Sequence, residues 1–314
     1  MLVMRETARE RGGHLALHPL LKNIINPITK PKKMRKRFFI TLLLAATFSL
    51  SALAGGTEIG GIHYELDRNN NSACVTFTGS SYKENNNYPG RLTIPASVTH
   101  GGVTYTVTAI GDYAFYYCSS LLRITLPGTV TSIGEGAFAG CTGFTSFTIP
   151  TSVTHIGESA FYDCTRLTSI TIPNSVVTIG DMAFYNCNRM TSAALGNNVD
   201  SIGDKAFAYC TELTSFSFGN SIKKIGDNAF EGCFGLTSIT LPASVTHIGN
   251  GAFAYCTELQ QVYCRCTTPP TLGEKAFPAE LMESGGCCKL YVPASRKQAY
   301  AANWGWFENR IQEK

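Results

Sequence analysis

The apolar positions of this chain recur with one fixed period. The pattern Ile-Gly-acid-x-Ala-Phe-x-x-Cys begins at Ile110, Ile133, Ile156, Ile179, Ile202, Ile225 and Ile248, a constant step of 23 residues, with Asn250 in the acid position of the last copy. An eighth, degraded copy starts at Leu272 and keeps Phe277 but lacks the Cys. Phased copies of this length predict supersecondary units that stack, because no single copy can bury its own apolar set. In the copy from Cys164 to Cys187, Leu167, Ile170 and Ile172 predict a short strand. Alternation sends Ile170 and Ile172 inward and leaves Ser169 and Thr171 outward. Pro173 ends the strand, since it has no N–H and a fixed φ. Val176 and Ile179 form a second short apolar edge, and Gly180 makes a turn that a Cβ would hinder. Asp181 is then expected to open a helical turn, its carboxylate capping free N–H groups. Ala183 is small where layers crowd, Phe184 fills the core, and Cys187 closes the rung. The fold expected is an α+β repeat solenoid of about eight rungs, with strands ~4.8 Å apart and an array on the order of 40 Å long.

Solenoid ends expose apolar surface and sheet edges, so flanking caps are expected. Leu92-Thr93-Ile94-Pro95 already reads as a repeat strand, and the array is assigned to 92–277 with an insertion at 101–109, where Val103, Tyr105 and Val107 alternate as a β-ribbon. An N-terminal cap is assigned to 55–91 and a C-terminal cap to 278–314. In the latter, Leu290-Tyr291-Val292-Pro293 is a final strand, and Tyr300, Trp304, Phe307 and Ile311 recur at the spacing of an amphipathic capping helix. Upstream, Met34-Arg35-Lys36-Arg37, the apolar run from Phe38 to Leu50, and Ala52-Leu53-Ala54 are the three parts of a secretory signal in order, over 34–54. The apolar run is shorter than the ~20 residues a bilayer crossing needs, so no membrane span is expected after cleavage. Residues 1–33 have no signal character; a start at Met34 would make them an upstream segment outside the fold.

Charge changes one conclusion. The formal net charge of +4 is concentrated at the N-terminus: residues 1–54 hold ten of the 26 Lys and Arg and only two of the 22 Asp and Glu. The remainder is mildly acidic, which argues against nucleic acid as a partner.

With these repeats, the chain resembles the BspA-like branch of bacterial leucine-rich repeat proteins over roughly residues 59–314, including Thr-Thr-Pro-Pro at 267–270 and Leu-Tyr-Val-Pro at 290–293. The resemblance implies a secreted or cell-surface adhesin that binds host matrix proteins, other bacteria or epithelial receptors, and it supplies no catalytic residues and no cofactor.

Candidate chemistry is sparse. The cysteine column Cys118, Cys141, Cys164, Cys187, Cys210, Cys233 and Cys256 reads as buried thiols, with disulfides or a metal as alternatives. Cys264, Cys266, Cys287 and Cys288 break the column, and either a disulfide across adjacent strands or a zinc site is open there. Asp112, Glu135, Glu158, Asp181, Asp204 and Asp227 form an acid column, but capping accounts for each, and six to eight oxygen ligands for calcium are not in view. His155 and His247 lie four rungs apart, ~19 Å, too far to share a metal or substrate. Catalysis needs one convergent site, whereas a repeat distributes each residue type evenly, so no catalytic, cofactor or metal residues are assigned.

A binding surface remains. The outward strand positions form two columns, Arg123, Ser146, Ser169, Ser192, Ser215, Ser238 and Gln261 beside Thr125, Thr148, Thr171, Ala194, Ser217, Thr240 and Tyr263. This face is small and hydroxylated and suits an extended protein partner, from host matrix or a bacterial surface. The expected helical side carries Tyr116, Tyr162, Tyr185, Tyr209 and Tyr255, which would be needed for a glycan-binding alternative. An exported hydrolase is a third class, without an acid/base pair to support it.

Overall fold

The computed structural model describes residues 56–79, 81, 88, 90–278 and 288–314. The upstream segment 1–33, the export signal 34–54 and Cys287 lie outside the described residues.

Most rungs make two short strands. The second of them, Thr178–Ile179 in the copy considered above, belongs to a continuous parallel ladder running from Val103–Ile110 through Ser132–Ile133, His155–Ile156, Thr178–Ile179, Ser201–Ile202, Lys224–Ile225 and His247–Ile248 to Thr271–Leu272. Eight stacked turns are thus joined edge to edge. The first strand of each rung is less regular. Ser169–Thr171, Ser192–Ala194 and Ser215–Ser217 pair in register with one another, while Ser238–Leu241, Gln261–Cys264, Lys289–Val292 and Ile311–Glu313 form a separate sheet, and Gly90–Thr93 pairs, among the described residues, with Leu121–Thr125 alone.

The interruptions have a packing cause. Where the inward residue is Phe147, the segment 144–149 forms no strand, and none of the N–H groups of residues 145–149 has a backbone partner among the described residues. Its ring lies edge-on between two rings of the core, 5.0 Å from Phe138 and 4.7 Å from Phe161, and the same repeat position in the rungs on either side holds Ile124 and Ile170, neither of them small. Phe216 is the same intrusion with one difference. It faces Ala193 in the register on one side, where the ladder holds, and Ile239 on the other, where the ladder breaks. A ring in place of a branched aliphatic wedges strands apart unless a small residue opposes it.

The interior follows the repeat. Phe115, Phe138, Phe161, Phe184, Phe207, Phe230 and Phe253 are fully buried and stack rung upon rung, with centroids 5.1 Å apart from Phe161 to Phe184 and from Phe184 to Phe207. Each Ala preceding a Phe is likewise buried. Gly180 is required by close approach rather than by its own turn: a Cβ there would lie 2.6 Å from the backbone of Gly157 and Glu158 in the preceding rung.

The repeat solenoid of about eight rungs is observed, as a β-solenoid with little helix: where a helical turn is expected after each Gly, the chain forms turns instead. Over 181–186 the chain forms turns in which Met182 and Asn186 take positive φ. Alternate N–H groups bond within the rung (Tyr185 N–H to the Met182 carbonyl, 3.0 Å) and to the next rung (Phe184 N–H to Ala206, 2.7 Å; Asn186 N–H to Ala208, 2.9 Å). An α-helix would direct every N–H to its own rung and leave nothing for stacking. The acid is redirected for the same reason. Asp181 Oδ1 accepts from the N–H of Asp204 in the next rung at 2.7 Å, Asp204 from Asp227 at 2.8 Å, and Asp227 from Asn250 at 2.8 Å.

At the N-terminal end, Thr57–Ile59, Ile62–Asp67 and Ser72–Thr76 pair as an antiparallel meander whose last strand joins Val103–Ile110 in parallel. Ser97–His100 folds back on Val103–Ile110 through Gly101 and Gly102, both at positive φ, as a two-residue hairpin requires. At the other end the spacing of Tyr300, Trp304, Phe307 and Ile311 is realised in three pieces: an α-helix Lys297–Asn303, a 3-10 helix Gly305–Arg310 and the strand Ile311–Glu313. All four side chains are buried, and Trp304 and Phe307 each lie 5.8 Å from Phe277, the last ring of the Phe column.

Candidate functional site

The strand face carries the two predicted columns in register. Ser169, Ser192 and Ser215 stand side by side, as do Thr171, Ala194 and Ser217; Ser238 and Thr240 face Gln261 and Tyr263. Arg123, Thr125, Ser146, Thr148, Ser169, Thr171, Ser215, Ser217 and Ser238 are exposed, while Ser192, Thr240, Gln261 and Tyr263 are half-buried. At the Phe147 interruption the face deepens into an open groove of about 690 Å³ lined by Ser146, Thr148, Ser169, Thr171 and Ala194, with Pro173 and Leu195 at its margin.

Two kinds of hydroxyl are present. At the rung corners, Thr168, Thr191 and Thr214 each donate Oγ1 to the carbonyl of the Thr one rung before, at 3.1–3.2 Å. At the corner of the continuous ladder Thr131 and Thr154 do the same to Thr108 and Thr131, and Thr246 donates to the carbonyl of Lys223. Stacking accounts for those columns. On the strand face, by contrast, the hydroxyls of Ser146, Thr148, Ser169, Thr171, Ser215, Ser217 and Ser238 make no hydrogen bond within the chain among the described residues.

At both ends the strand face extends past the predicted columns, from Tyr263 to Tyr291 and Lys314 and from Arg123 to Arg91. Beyond the small residues, Tyr263 is stacked on Tyr291 at 4.6 Å, and Lys314 Nζ lies 4.7 and 4.3 Å from the two ring centroids. With Thr240 and Arg265 they line a second open groove of about 510 Å³. At the opposite end Arg91 stands directly across from Arg123.

The tyrosines of the other side lie on turns, not on helices. Tyr162 and Tyr185 are stacked face to face at 4.9 Å and Tyr185 meets Tyr209 edge-on at 5.4 Å. Tyr209 donates to Glu231 at 2.9 Å, and Asn186 to Asp163 at 2.7 Å. Burial, aided by the Asp163 charge, pushes the Tyr162 hydroxyl up to about 12. These rings use their faces on each other. Tyr116 is half-buried and packs edge-on against Tyr117, and only Tyr117 and Tyr255, at 58% each, are widely exposed.

The cysteine column consists of buried residues. From Cys141 to Cys256 they are free thiols, each donating to the carbonyl of a core Phe in the preceding rung, as Cys187 does to Phe161 at 3.3 Å. Burial pushes Cys118 up to about 11 and Cys210 and Cys256 up to about 12, which suppresses the reactive thiolate. Cys264 and Cys266 are also buried free thiols, not joined in a disulfide. Tyr300 donates to Cys264 Sγ at 2.9 Å, and Cys266 Sγ to the Pro242 carbonyl at 3.1 Å. Cys266 and Tyr300 together hold the Cys264 thiol below its ordinary value. His155 and His247 each bond a threonine of the next rung, Thr178 at 2.8 Å and Thr271 at 2.9 Å. Among the described residues no group of three or more His, Cys, Asp or Glu could hold a metal ion, and no helix is long and apolar enough to cross a membrane.

The family described as BspA type leucine rich repeat region (six copies) matches residues 96–214 and 178–284. No curated protein matches the chain significantly. Among solved structures, the chain is similar to a leucine-rich repeat protein of Treponema pallidum at 23% identity, over 71% of this chain and 83% of that one, with a TM-score of 0.44. It is also similar to a leucine-rich cell surface protein of Faecalibacterium prausnitzii at 21% identity, over 80% and 97% of the two chains, TM-score 0.37. A third is the pneumococcal vaccine antigen PcpA at 16% identity, over 83% and 99%, TM-score 0.39.

Proposed function

This chain belongs to the BspA-type leucine-rich repeat family, and from that premise we propose that it is an exported binding protein whose strand face recognises a protein outside the cell, from host matrix or a bacterial surface. Unused hydroxyls support this reading. The corner threonines hold the neighbouring rung, whereas the serines and threonines of the strand face hold nothing within the chain among the described residues. A partner strand or loop can occupy those hydroxyls without disturbing a stacking contact. The groove at Phe147 gives it a place of entry. Export rests on the basic, apolar and Ala-x-Ala segments of 34–54, and cleavage after Ala54 leaves Gly55 as the mature N-terminus. The meander at 57–76 and the segments packed on Phe277 serve as caps that keep the open ends from pairing with other chains.

The test is a binding screen of the full chain against extracellular matrix proteins, bacterial surface proteins and glycans, followed by one variant. Ser169→Glu, Ser192→Glu and Ser215→Glu together place three carboxylates on neighbouring rungs of the face. Loss of binding at unchanged melting temperature supports the reading. Full binding by the triple variant excludes the serine rows of the strand face as the site, and a screen in which only glycans bind overturns the protein partner.

A further inference from the structure

In a stacked repeat, a residue shared by every rung is accounted for by stacking. A residue that departs from its column needs another reason. The first full rung departs at two adjacent positions. Where five later rungs carry Thr145, Thr168, Thr191, Thr214 and Thr237, it has Leu122; where those rungs carry serine, it has Arg123; the last rung departs too, but to the uncharged polar Gln260 and Gln261. The threonine of this column donates to the preceding rung. Leu122 abandons that bond and leaves 52% of its surface in water.

The backbone changes at the same place. Gly90 faces Leu121, but Arg91 faces Arg123, so the register slips by one residue and Leu122 is left without a partner across the strands. A bulge of this kind re-aims side chains. Here it thrusts Leu122 outward and brings two exposed guanidinium side chains, Arg91 and Arg123, directly opposite each other. Without the slip, Arg91 would face Leu122. Like charges so placed repel, and neither arginine has an ion-pair partner among the described residues. The adjacent outward positions, Thr93, Thr125, Ser146 and Thr148, are uncharged.

We propose that Arg91, Leu122 and Arg123 form the anchoring point of the strand face for an acidic segment of a partner protein, in which a carboxylate bridges the two guanidiniums and a neighbouring apolar side chain covers Leu122. Guanidinium forks match carboxylates in geometry as well as charge. The exposed leucine selects a polypeptide over a sulfated polysaccharide, which has charge to offer but no apolar side chain. The charge distribution agrees, since the outward columns carry no cation from Ser146 to Thr240 to receive a regularly charged polymer. This proposal rests on the strand-face reading and names the chemistry of its partner.

The test uses the full chain and fluorescent synthetic peptides in which Glu alternates with Leu or Phe, matched peptides with Gln for Glu, and a heparin oligosaccharide. The acidic-apolar peptides are expected to bind, to weaken as salt rises, and to lose about tenfold or more in affinity both with Gln for Glu and in the Arg91→Gln, Arg123→Gln double variant. Leu122→Thr installs the residue of the later rungs, so it is expected to fold and to weaken the peptide while leaving heparin unaffected. Peptide binding that survives the double arginine change overturns the proposal, as does heparin binding that exceeds peptide binding and ignores Leu122→Thr. The triple Glu variant separates this proposal from the broader reading. Partner binding lost in that variant but kept in the arginine variant leaves the strand face standing and removes this anchor; the reverse keeps the anchor and removes the serine floor. A measurement without ligand checks the repulsion: Arg91→Gln is expected to raise the melting temperature at low salt, by more than at high salt. A lower melting temperature at low salt would mean that the pair has a favourable internal partner and would overturn the proposal.

Discussion

The two sheets of this solenoid are built from the same repeat and differ in what holds them. On one, a ladder that starts from Val103–Ile110 and continues in seven two-residue strands runs without a break through eight turns. The adjoining turns bond rung to rung through backbone N–H groups, through a carboxylate ladder and through a column of thiols. On the other, longer strands are divided into separate sheets by Phe147 and Phe216, and outward serines and threonines such as Ser146, Thr148, Ser169, Thr171, Ser215, Ser217 and Ser238 bond nothing through their hydroxyls within the chain among the described residues. The shorter strands are therefore the better secured. What fixes a rung is the number of independent bonds to its neighbour, not the length of its strand. A face with few such bonds is free to vary, and its side chains are available to a partner.

Changes on the secured side should cost most. Phe184→Ala removes a fully buried ring stacked 5.1 Å from both Phe161 and Phe207 and is expected to cost ~3–5 kcal/mol in denaturant unfolding. A cost near that of a surface substitution would show that the column is not the core's main support.

Asp204 tests the carboxylate ladder. Its Oδ1 accepts from Asp227 N–H at 2.8 Å, and Asn250 performs the same task for Glu274, also at 2.8 Å. Asp204→Ala is therefore expected to cost ~1 kcal/mol, and Asp204→Asn much less, read from paired melting curves. Equal losses in the two variants would assign the effect to charge rather than to the amide acceptor.

The third effect is smaller and depends on pH. Burial, with the charges of Glu135 and Asp181 adding to it, raises the Glu158 carboxyl above its usual range, so the folded chain holds this proton more tightly than the unfolded one. The resulting stability is complete below the unfolded value of about 4.3 and is lost as pH rises through the higher folded value. Glu158→Gln should abolish that part of the decline, by less than ~1 kcal/mol because the side chain is largely exposed. An unchanged pH profile would mean that neither burial nor the neighbouring acids raise it.

Much of this was legible in the residues. The 23-residue step, the buried Ile, Ala and Phe columns and the outward serines and threonines follow from spacing alone, because stacking forces every rung to repeat them. The turn side was misread because Asp-x-Ala-Phe after a Gly has the composition of a helix start. Its N–H groups are drawn to the next rung, and that competition does not appear in one copy. The breaks in the strand face were hidden for another reason: Phe147 and Phe216 occupy inward positions and read as ordinary core. Their effect depends on the size of the opposing residue, and Ala193 reveals it only once the register is known. Arg91 was missed because the insertion at 101–109 obscured the alignment of its strand, and Leu122 because one leucine among threonines passes for chance until the bulge places it.

The contrast between the faces is tested most directly by native-state hydrogen exchange of individual amides. The N–H groups of Gly157, Gly180 and Gly203 bond to Ile133, Ile156 and Ile179 in the rung before, at 2.8–3.0 Å, and are predicted to exchange only through global unfolding. Those of residues 145–149, without backbone partners among the described residues, are predicted to exchange in the folded state, and Phe147→Ile is predicted to slow them by letting the ladder close. Equal protection of the two sets in the native chain would contradict the account.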